Sequence, residues 1–307
     1  LALAAVFRTE NVLSAALMAG AMSSDAIKGS DTPFDRRIQS VRGHGGQIAV
    51  AAVLRDLMTG SDIRASHIEC DRVQDPYSIR CQPQVIGACL DVLRHVCKVL
   101  ETEANAVTDN PLVFTDSKSI LSGGNFHAEP VALAADYLAL AIAEIGALSE
   151  RRIALLIDTH LSGLPAFLVE DGGLNSGFMM AQVPAAALAS ENKSHAHPAS
   201  VESIPTSANQ EDHVSMATFA ARRLHTMLDN VADIVAIELL AAAQGIDFHH
   251  PQKSSPAIED VVLAIRGLSP AFKEDRSLSA DIRRIAVTID EGEYCHYAAS
   301  VLPSLSR

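Results

Sequence analysis

The sequence predicts an all-α fold, in which a bundle of long helices is followed by shorter C-terminal helices. Three long segments carry apolar residues at the three- and four-residue spacing of a helix, and alternating patterns of strand length are missing. Helices well above the usual ~11–12 residues are typical of long bundles. No repeat or linker-like tract divides the 307 residues, so we predict one helical unit over residues 1–307.

The chain begins inside a predicted helix. Leu1 opens a short apolar run that lacks the basic region and the cleavage site of a signal peptide. We therefore expect this chain to be a piece of a longer polypeptide. The first long helix is predicted over about 84–107, where one apolar stripe contains Val85, Cys89, Val92, Val96 and Leu100.

The second long helix, predicted over about 128–158, is apolar nearly all round. Such a helix is enclosed by other helices or by other subunits. The third is predicted over about 210–245, with Asn209 as its N-cap. Residues 257–265 and 279–289 predict two of the shorter C-terminal helices.

Charge and composition exclude two classes of partner. The chain has 24 Lys+Arg against 37 Asp+Glu, a net charge of −13, and such a surface repels nucleic acid and anionic membranes. Aromatic residues are only 4% and Trp is absent, which disfavours base stacking. No run reaches the ~18 uncharged apolar residues of a membrane span. Five cysteines, an odd number, predict reduced thiols and a cytoplasmic location.

Neither a nucleotide nor a metal site is expected from the motifs. The glycines at 43–46 lack the third glycine of a dinucleotide fingerprint, and no P-loop occurs. His67 and Cys70, with Cys81 further on, and the adjacent His249 and His250 do not make a Cys/His quartet.

The segment 74–83 contains a phenol and a guanidinium that can act together. Asp75 before Pro76 predicts an N-cap and the first position of a short helix. Tyr77 and Arg80 then share one face of that helix. A phenol can transfer a proton and a guanidinium can clamp a carboxylate, but a structural turn with a packed tyrosine explains the same spacing.

Three further segments admit both a structural and a functional interpretation. Glu211, predicted in the first turn of the third long helix, either complements the helix dipole or handles a substrate cation or proton. The glycines of 121–127 and 172–177 allow close backbone approach. Phe126 and Met179 therefore either line a pocket or belong to ordinary connections and packing.

Taken together, five segments resemble the histidine ammonia-lyase family, in the order expected of that family. They are Gln-Asp-Pro-Tyr-Ser-Ile-Arg-Cys-Gln-Pro-Gln at 74–84, Thr-Asp-Asn-Pro-Leu at 108–112, Gly-Gly-Asn-Phe-His at 123–127, Ser-Glu-Asn-Lys at 190–193 and Pro-Thr-Ser-Ala-Asn-Gln-Glu-Asp-His-Val-Ser-Met at 205–216. The resemblance runs nearly end to end and covers roughly the last three-fifths of a family member. It implies a cytosolic, all-α homotetramer whose long helices form a central bundle and whose active sites each draw residues from three subunits.

The resemblance also implies a reaction, the elimination of ammonia from L-histidine to give urocanate, the first step of histidine degradation. In the family the electrophile is a methylidene-imidazolone (MIO) ring formed from an internal Ala-Ser-Gly, and no metal or nucleotide is needed. This chain contains no Ala-Ser-Gly. We therefore expect the chain alone to be inactive, with its own N-terminal segment as a possible further partner beside the other subunits.

Site residues follow from the same resemblance, position by position. Tyr77 matches the tyrosine that takes the β-proton, and Arg80 matches the arginine that grips the substrate carboxylate. Gln74 and Phe126 match residues beside the prosthetic ring. Met179 matches a contact to the substrate imidazole.

Glu211 matches the acidic residue near the substrate side chain and amino group, and it is expected both to bind substrate and to take part in catalysis. It favours histidine, since the lyases of this superfamily that act on aromatic amino acids tend to place Gln there. Two alternatives stay open: a lyase of the same superfamily that acts on phenylalanine or tyrosine, and a non-catalytic helical assembly module.

Overall fold

The computed structural model describes residues 1–67 and 73–305, and its fold confirms the all-α prediction. Cys70 lies outside the described residues. The α-helices are α1 (Ala2–Ala26), α2 (Arg36–Arg42), α3 (Gly45–Met58), α4 (Asp62–Ala65), α5 (Tyr77–Arg80), α6 (Gln82–Ala104), α7 (Glu129–Ile157), α8 (Thr159–Ser162), α9 (Met179–His195), α10 (Ala217–Asp247), α11 (Pro256–Leu268), α12 (Ser279–Asp290) and α13 (Cys295–Ala298). An antiparallel hairpin pairs β1 (Leu112–Phe114) with β2 (Ser119–Leu121).

Helices α1, α7 and α10 form the centre of the bundle, and each packs against the other two. Every residue of α10 from Ile234 to Ile246 is buried, as is every residue of α1 from Val12 to Ala26. A helix buried on all sides owes its stability mainly to the apolar surface that packing removes from water. The outer helices α3, α6, α9 and α12 surround this centre.

The third long helix begins later than predicted, at Ala217. Met216 before it has a φ of 57°, a left-handed conformation that interrupts the helical path. Asn209 has a φ of 67° and ends a 3₁₀ turn, Ser207–Asn209, so its prediction as the N-cap of this helix is wrong. Polar side chains that suit a helix start also suit a tight turn, and here the turn forms.

Helices α3 and α6 touch backbone to backbone at two glycines. A Cβ on Gly87 would lie 2.5 Å from the Cα and N atoms of Gln47, and one on Gly46 would lie 2.1 Å from the carbonyl oxygen of Gly87. Backbone atoms cannot move aside as the end of a flexible side chain can. Both glycines are therefore required by the packing of these helices.

Replacing Gly87 by alanine is expected to destabilise the protein by about 1–3 kcal/mol, because the new methyl group must push α3 and α6 apart. The control is Gly267→Ala in α11, an exposed position where an added Cβ meets nothing within 4 Å. That change should stabilise the protein by about 0.5–1 kcal/mol through helix propensity. Urea unfolding measures both, and equal effects of the two changes would contradict the close contact.

A buried ion pair joins the three central helices. Glu238 of α10 and Arg152 of α7 are both fully buried, and the guanidinium donates to both carboxylate oxygens, from Nε at 2.5 Å and from Nη2 at 2.8 Å. Ser23 of α1 donates a hydrogen bond of 2.7 Å to Glu238, and Ser149 of α7 donates one of 2.6 Å. The Glu238 carboxylate of α10 therefore accepts hydrogen bonds from both α1 and α7.

Two helices, α1 and α7, contain windows long and apolar enough to cross a membrane by length and composition alone. The sequence criterion, which required an uncharged run, did not detect them. Within the protein these windows are 72% and 61% buried, as expected for core helices of a bundle. Their apolar character is explained by packing against neighbouring helices.

Helix α7 nevertheless keeps one apolar stripe in the open. Leu133, Tyr137 and Leu140 are 56%, 46% and 50% exposed, and their spacing places them on one face. The remaining faces of the helix pack against α1, α6, α9 and α10. The chain itself therefore encloses α7 on every side except this stripe.

Candidate active site

A cavity of about 590 Å³ opens beside α5, and Gln74, Arg80 and Gln84 are among the residues that line it. The guanidinium carbon of Arg80 lies 4.6 Å from the ring centroid of Tyr77, a cation–π distance. The predicted common face of these two residues is therefore present. The Tyr77 ring is 70% exposed, so its hydroxyl is open to a ligand.

Local sequence explains how α5 presents this pair. The N-cap of α5 is Pro76, so the prediction of Asp75 as N-cap is wrong. The Asp75 carboxylate instead accepts a hydrogen bond of 2.7 Å from the backbone N–H of Ser30, which ties the segment to the loop after α1. Ile79 is fully buried and anchors the helix, while Tyr77 and Arg80 project from it.

Two polar atoms in this cavity have no partner within the described residues. They are Nε of Arg80 and Oε1 of Gln84, and both are buried. Buried donors and acceptors are nearly always paired in folded proteins, so these two atoms are exceptions among the described residues. An anionic ligand with carboxylate geometry suits the guanidinium edge of Arg80.

Glu211 lies in a second region, on the segment that precedes α10. Its backbone pairs with Thr206 across a tight turn, and its carboxylate accepts a hydrogen bond from the Thr206 hydroxyl. That hydrogen bond, with a further one from Ser207, lowers the pKa of the Glu211 carboxyl below its ordinary value. The residue is exposed and anionic, and it lies in a turn, so its predicted place in the first turn of the helix is wrong.

Phe126 lies near this second region. It precedes His127, whose Nε2 atom is 3.1 Å from the carbonyl oxygen of His213. The Phe126 ring is 58% exposed. The contact between the two histidines therefore holds the loop that carries Phe126 against the segment that carries Glu211.

Met179 begins α9 in a third region and is 37% exposed. The loop before it is held by Asp275, whose carboxylate accepts hydrogen bonds from the backbone N–H groups of Ser176 and Gly177 at 2.8 and 2.9 Å. These bonds lower the pKa of Asp275, so the loop is held by an anion.

The six predicted site residues therefore occupy three regions of one chain. Gln74, Tyr77 and Arg80 share the first region, Phe126 and Glu211 the second, and Met179 forms the third. Among residues 1–67 and 73–305, no hydrogen bond, ion pair or ring contact joins one region to another through these six.

Comparison with known proteins decides the family. A family model described as aromatic amino acid lyase matches residues 1–267. The chain belongs to the aromatic amino acid lyase family. Members of this family depend on MIO, and its fold is helical, as observed here.

This family member is similar to proteins named histidine ammonia-lyase. It is 62% identical to the one from Burkholderia lata over 298 residues, which covers 97% of this chain and 59% of the relative. It is 59% identical to the one from Desulfotalea psychrophila, with coverage of 100% and 60%. The crystal structure of histidine ammonia-lyase from Trypanosoma cruzi matches with a TM-score of 0.89 and 45% identity, covering 97% of this chain and 56% of that one. The chain thus spans about three-fifths of the length of the curated relatives it matches.

Sequence reasoning missed two features of this family member. One is Gln84, whose unpartnered oxygen lies in the Arg80 cavity. The other is the convergence of His127, Glu129 and His213. His127 and His213 are 86 residues apart, and no local spacing rule joins them. Only the fold brings them together.

Proposed function

We propose that this chain forms part of a histidine ammonia-lyase, which converts L-histidine to urocanate and ammonia. The observation that carries the proposal is 59–62% identity, over 97% or more of the chain, to proteins of that name. The geometry agrees with it, because the exposed phenol of Tyr77 lies beside the guanidinium of Arg80, a residue that lines a cavity.

Arg80 binds the substrate carboxylate in this proposal. Its planar fork offers two parallel N–H donors, and Nε lacks a partner within the described chain. Tyr77 then lies next to the bound amino acid and, as the phenolate, takes the β-proton on its oxygen and becomes a neutral phenol. The distance of 4.6 Å between the Arg80 guanidinium carbon and the Tyr77 ring centroid supports these neighbouring roles.

Glu211 distinguishes histidine from the uncharged aromatic substrates. Hydrogen bonds from Thr206 and Ser207 keep it anionic, so it can pair with the imidazole or the amino group of histidine. Met179 contacts the imidazole, and Phe126 and Gln74 lie near the prosthetic ring. These residues come from separate regions of the chain, so we propose that each site is assembled from several subunits of a homotetramer.

The MIO ring belongs to the complete enzyme, since this chain contains no Ala-Ser-Gly. The cavity of about 590 Å³ that Arg80 and Gln84 line has the volume of a small-molecule site. When bound, MIO supplies the electrophile that turns the substrate amino group into a better leaving group. This chain supplies the carboxylate clamp and the base.

The exposed stripe of α7 supports the proposed assembly. Leu133, Tyr137 and Leu140 present an apolar face that a second copy of the chain can cover. A cytosolic location is proposed from the thiols, because Cys81, Cys89 and Cys295 form no disulfide.

Turnover of L-histidine by the complete protein, with its Ala-Ser-Gly segment present, tests the proposed function. The expected product is urocanate, and formation of cinnamate or coumarate from phenylalanine or tyrosine should be much slower. A complete protein that prefers phenylalanine or tyrosine would favour the alternative of a lyase of the same superfamily that acts on those amino acids. A tetramer with a formed electrophile and no turnover of any of the three would favour the assembly module.

Replacing Glu211 by glutamine is expected to lower kcat/KM for L-histidine by at least about tenfold, because the anionic partner of the substrate is lost while its shape is kept. The ratio of kcat/KM for histidine to kcat/KM for phenylalanine should also become smaller. The control is Glu202→Gln, an exposed acidic residue outside the predicted site. An unchanged kcat/KM in the Glu211 variant would show that this carboxylate does not select the substrate.

A further inference from the structure

Three potential metal ligands converge where the loop before α7 meets the segment before α10. His127, Glu129 and His213 each place one ligand atom so that all three atoms lie within 4.8 Å of one another. We propose that these residues form a binding site for a divalent transition metal of the zinc class. This site is separate from the roles assigned above to the six predicted residues.

The nitrogen atoms have the spacing of two ligands on one ion. Nε2 of His127 and Nδ1 of His213 are 3.3 Å apart, and the ring centroids are 5.3 Å apart. Two nitrogens bound to one zinc ion at 2.0–2.1 Å with a tetrahedral angle lie about 3.3–3.4 Å apart. The two imidazoles are therefore already at the separation that zinc requires.

A hydrogen bond between the imidazoles explains only part of the cluster. His127 Nε2 also lies 3.1 Å from the carbonyl oxygen of His213, so one N–H can be shared between that oxygen and the neighbouring ring nitrogen. Such a bond leaves Oε2 of Glu129 buried and without a partner within the described residues. A cation between the three side chains provides that partner and accepts both nitrogens at once.

The donor set indicates the class of metal. Two imidazole nitrogens and one carboxylate oxygen are ligands of Zn²⁺ and of its neighbours among the transition metals, whereas Mg²⁺ and Ca²⁺ prefer oxygen alone. A set of two histidines and one glutamate leaves a fourth position open, which water can fill. His213 is exposed, so an ion can enter from solvent.

Local hydrogen bonds hold the backbone segments that carry the ligands. The backbone N–H of His127 donates to the carbonyl of Gly124 at 3.0 Å, and Glu129 is the first residue of α7. The backbone N–H of Val214 donates to the Ser203 hydroxyl at 2.7 Å, which fixes the segment beside His213. A bound ion would therefore connect the start of α7 to the segment that carries Glu211. That connection would restrict the movement of the Glu211 segment.

Zinc titration of the protein, stripped of metal with a chelator and followed by calorimetry, tests the site. We expect one saturable Zn²⁺ per chain, a visible absorption band of tetrahedral Co²⁺ on titration with that ion, and a higher Tm in the presence of Zn²⁺. These readouts do not depend on lyase activity, so their outcome is independent of the proposed function.

His213→Ala and Glu129→Gln should each weaken Zn²⁺ binding at least about tenfold and diminish the Co²⁺ band. The matched control is His160→Ala, an exposed histidine in α8, which should bind Zn²⁺ as the unchanged protein does. Circular dichroism identifies any variant that fails to fold, and the exposed His213 variant is expected to fold normally. Absence of saturable binding, or equal affinity in the folded His213 variant, would overturn the proposal.

Discussion

Replacing Tyr77 by phenylalanine is expected to lower kcat for histidine elimination by about 10²–10⁴, the usual contribution of a positioned general base. The change removes only the hydroxyl, so the ring that packs over the Arg80 guanidinium stays in place. KM should change little, because the carboxylate clamp is preserved. The measurement is the rate of urocanate formation by the complete protein at saturating L-histidine.

Tyr297→Phe is the matched control for this variant. Tyr297 lies in α13, and the same loss of a hydroxyl there should leave kcat unchanged. A Tyr77→Phe protein with normal kcat would remove this residue from the proton transfer, while the function itself would still be judged by urocanate formation.

Replacing Glu238 by alanine is expected to destabilise the protein by about 3–5 kcal/mol. The change leaves the fully buried Arg152 guanidinium without its counterion. Ser23 and Ser149 lose their acceptor at the same time. Urea unfolding followed by circular dichroism measures the loss.

An exposed ion pair provides the comparison. Asp229 is 67% exposed and pairs with Arg8, which also pairs with Asp290. Asp229→Ala should therefore cost less than about 1 kcal/mol, since solvent screens the pair and a second carboxylate remains. Similar decreases in the free energy of unfolding in the Asp229 and Glu238 variants would mean that burial of the pair between Arg152 and Glu238 contributes little to stability.

Much of the fold could be predicted from helical spacing. Apolar residues that repeat every three or four positions predicted α6 and α7 to within a few residues. Helix α6 buries one apolar stripe, and α7 is buried on nearly every side. The start of α10 could not be predicted in this way. Polar residues before Met216 favour a helix start and a turn equally, and residue spacing does not indicate the left-handed conformation of Met216.

Less of the candidate site could be predicted from the residues alone. The pairing of Tyr77 with Arg80 followed from their spacing on one short helix, whereas the roles of Glu211 and Met179 came from resemblance. The hydrogen bonds of Glu211 with Thr206 and Ser207 depend on a turn that the sequence did not indicate. The grouping of His127, Glu129 and His213 depends on how two loops meet, which residue spacing does not encode.

The buried Glu238 carboxylate also determines the axial alignment of the bundle. A helix that slides by one turn moves its side chains about 5.4 Å along its axis, far beyond hydrogen-bond reach. If α7 slid relative to α10 in this way, Arg152 and Glu238 would both be charged, buried and apart. The apolar faces of α1, α7 and α10 are rich in similar small and branched residues and would tolerate such a shift much better. The ion pair therefore makes misaligned packings of the same helices high in free energy, and one arrangement is selected.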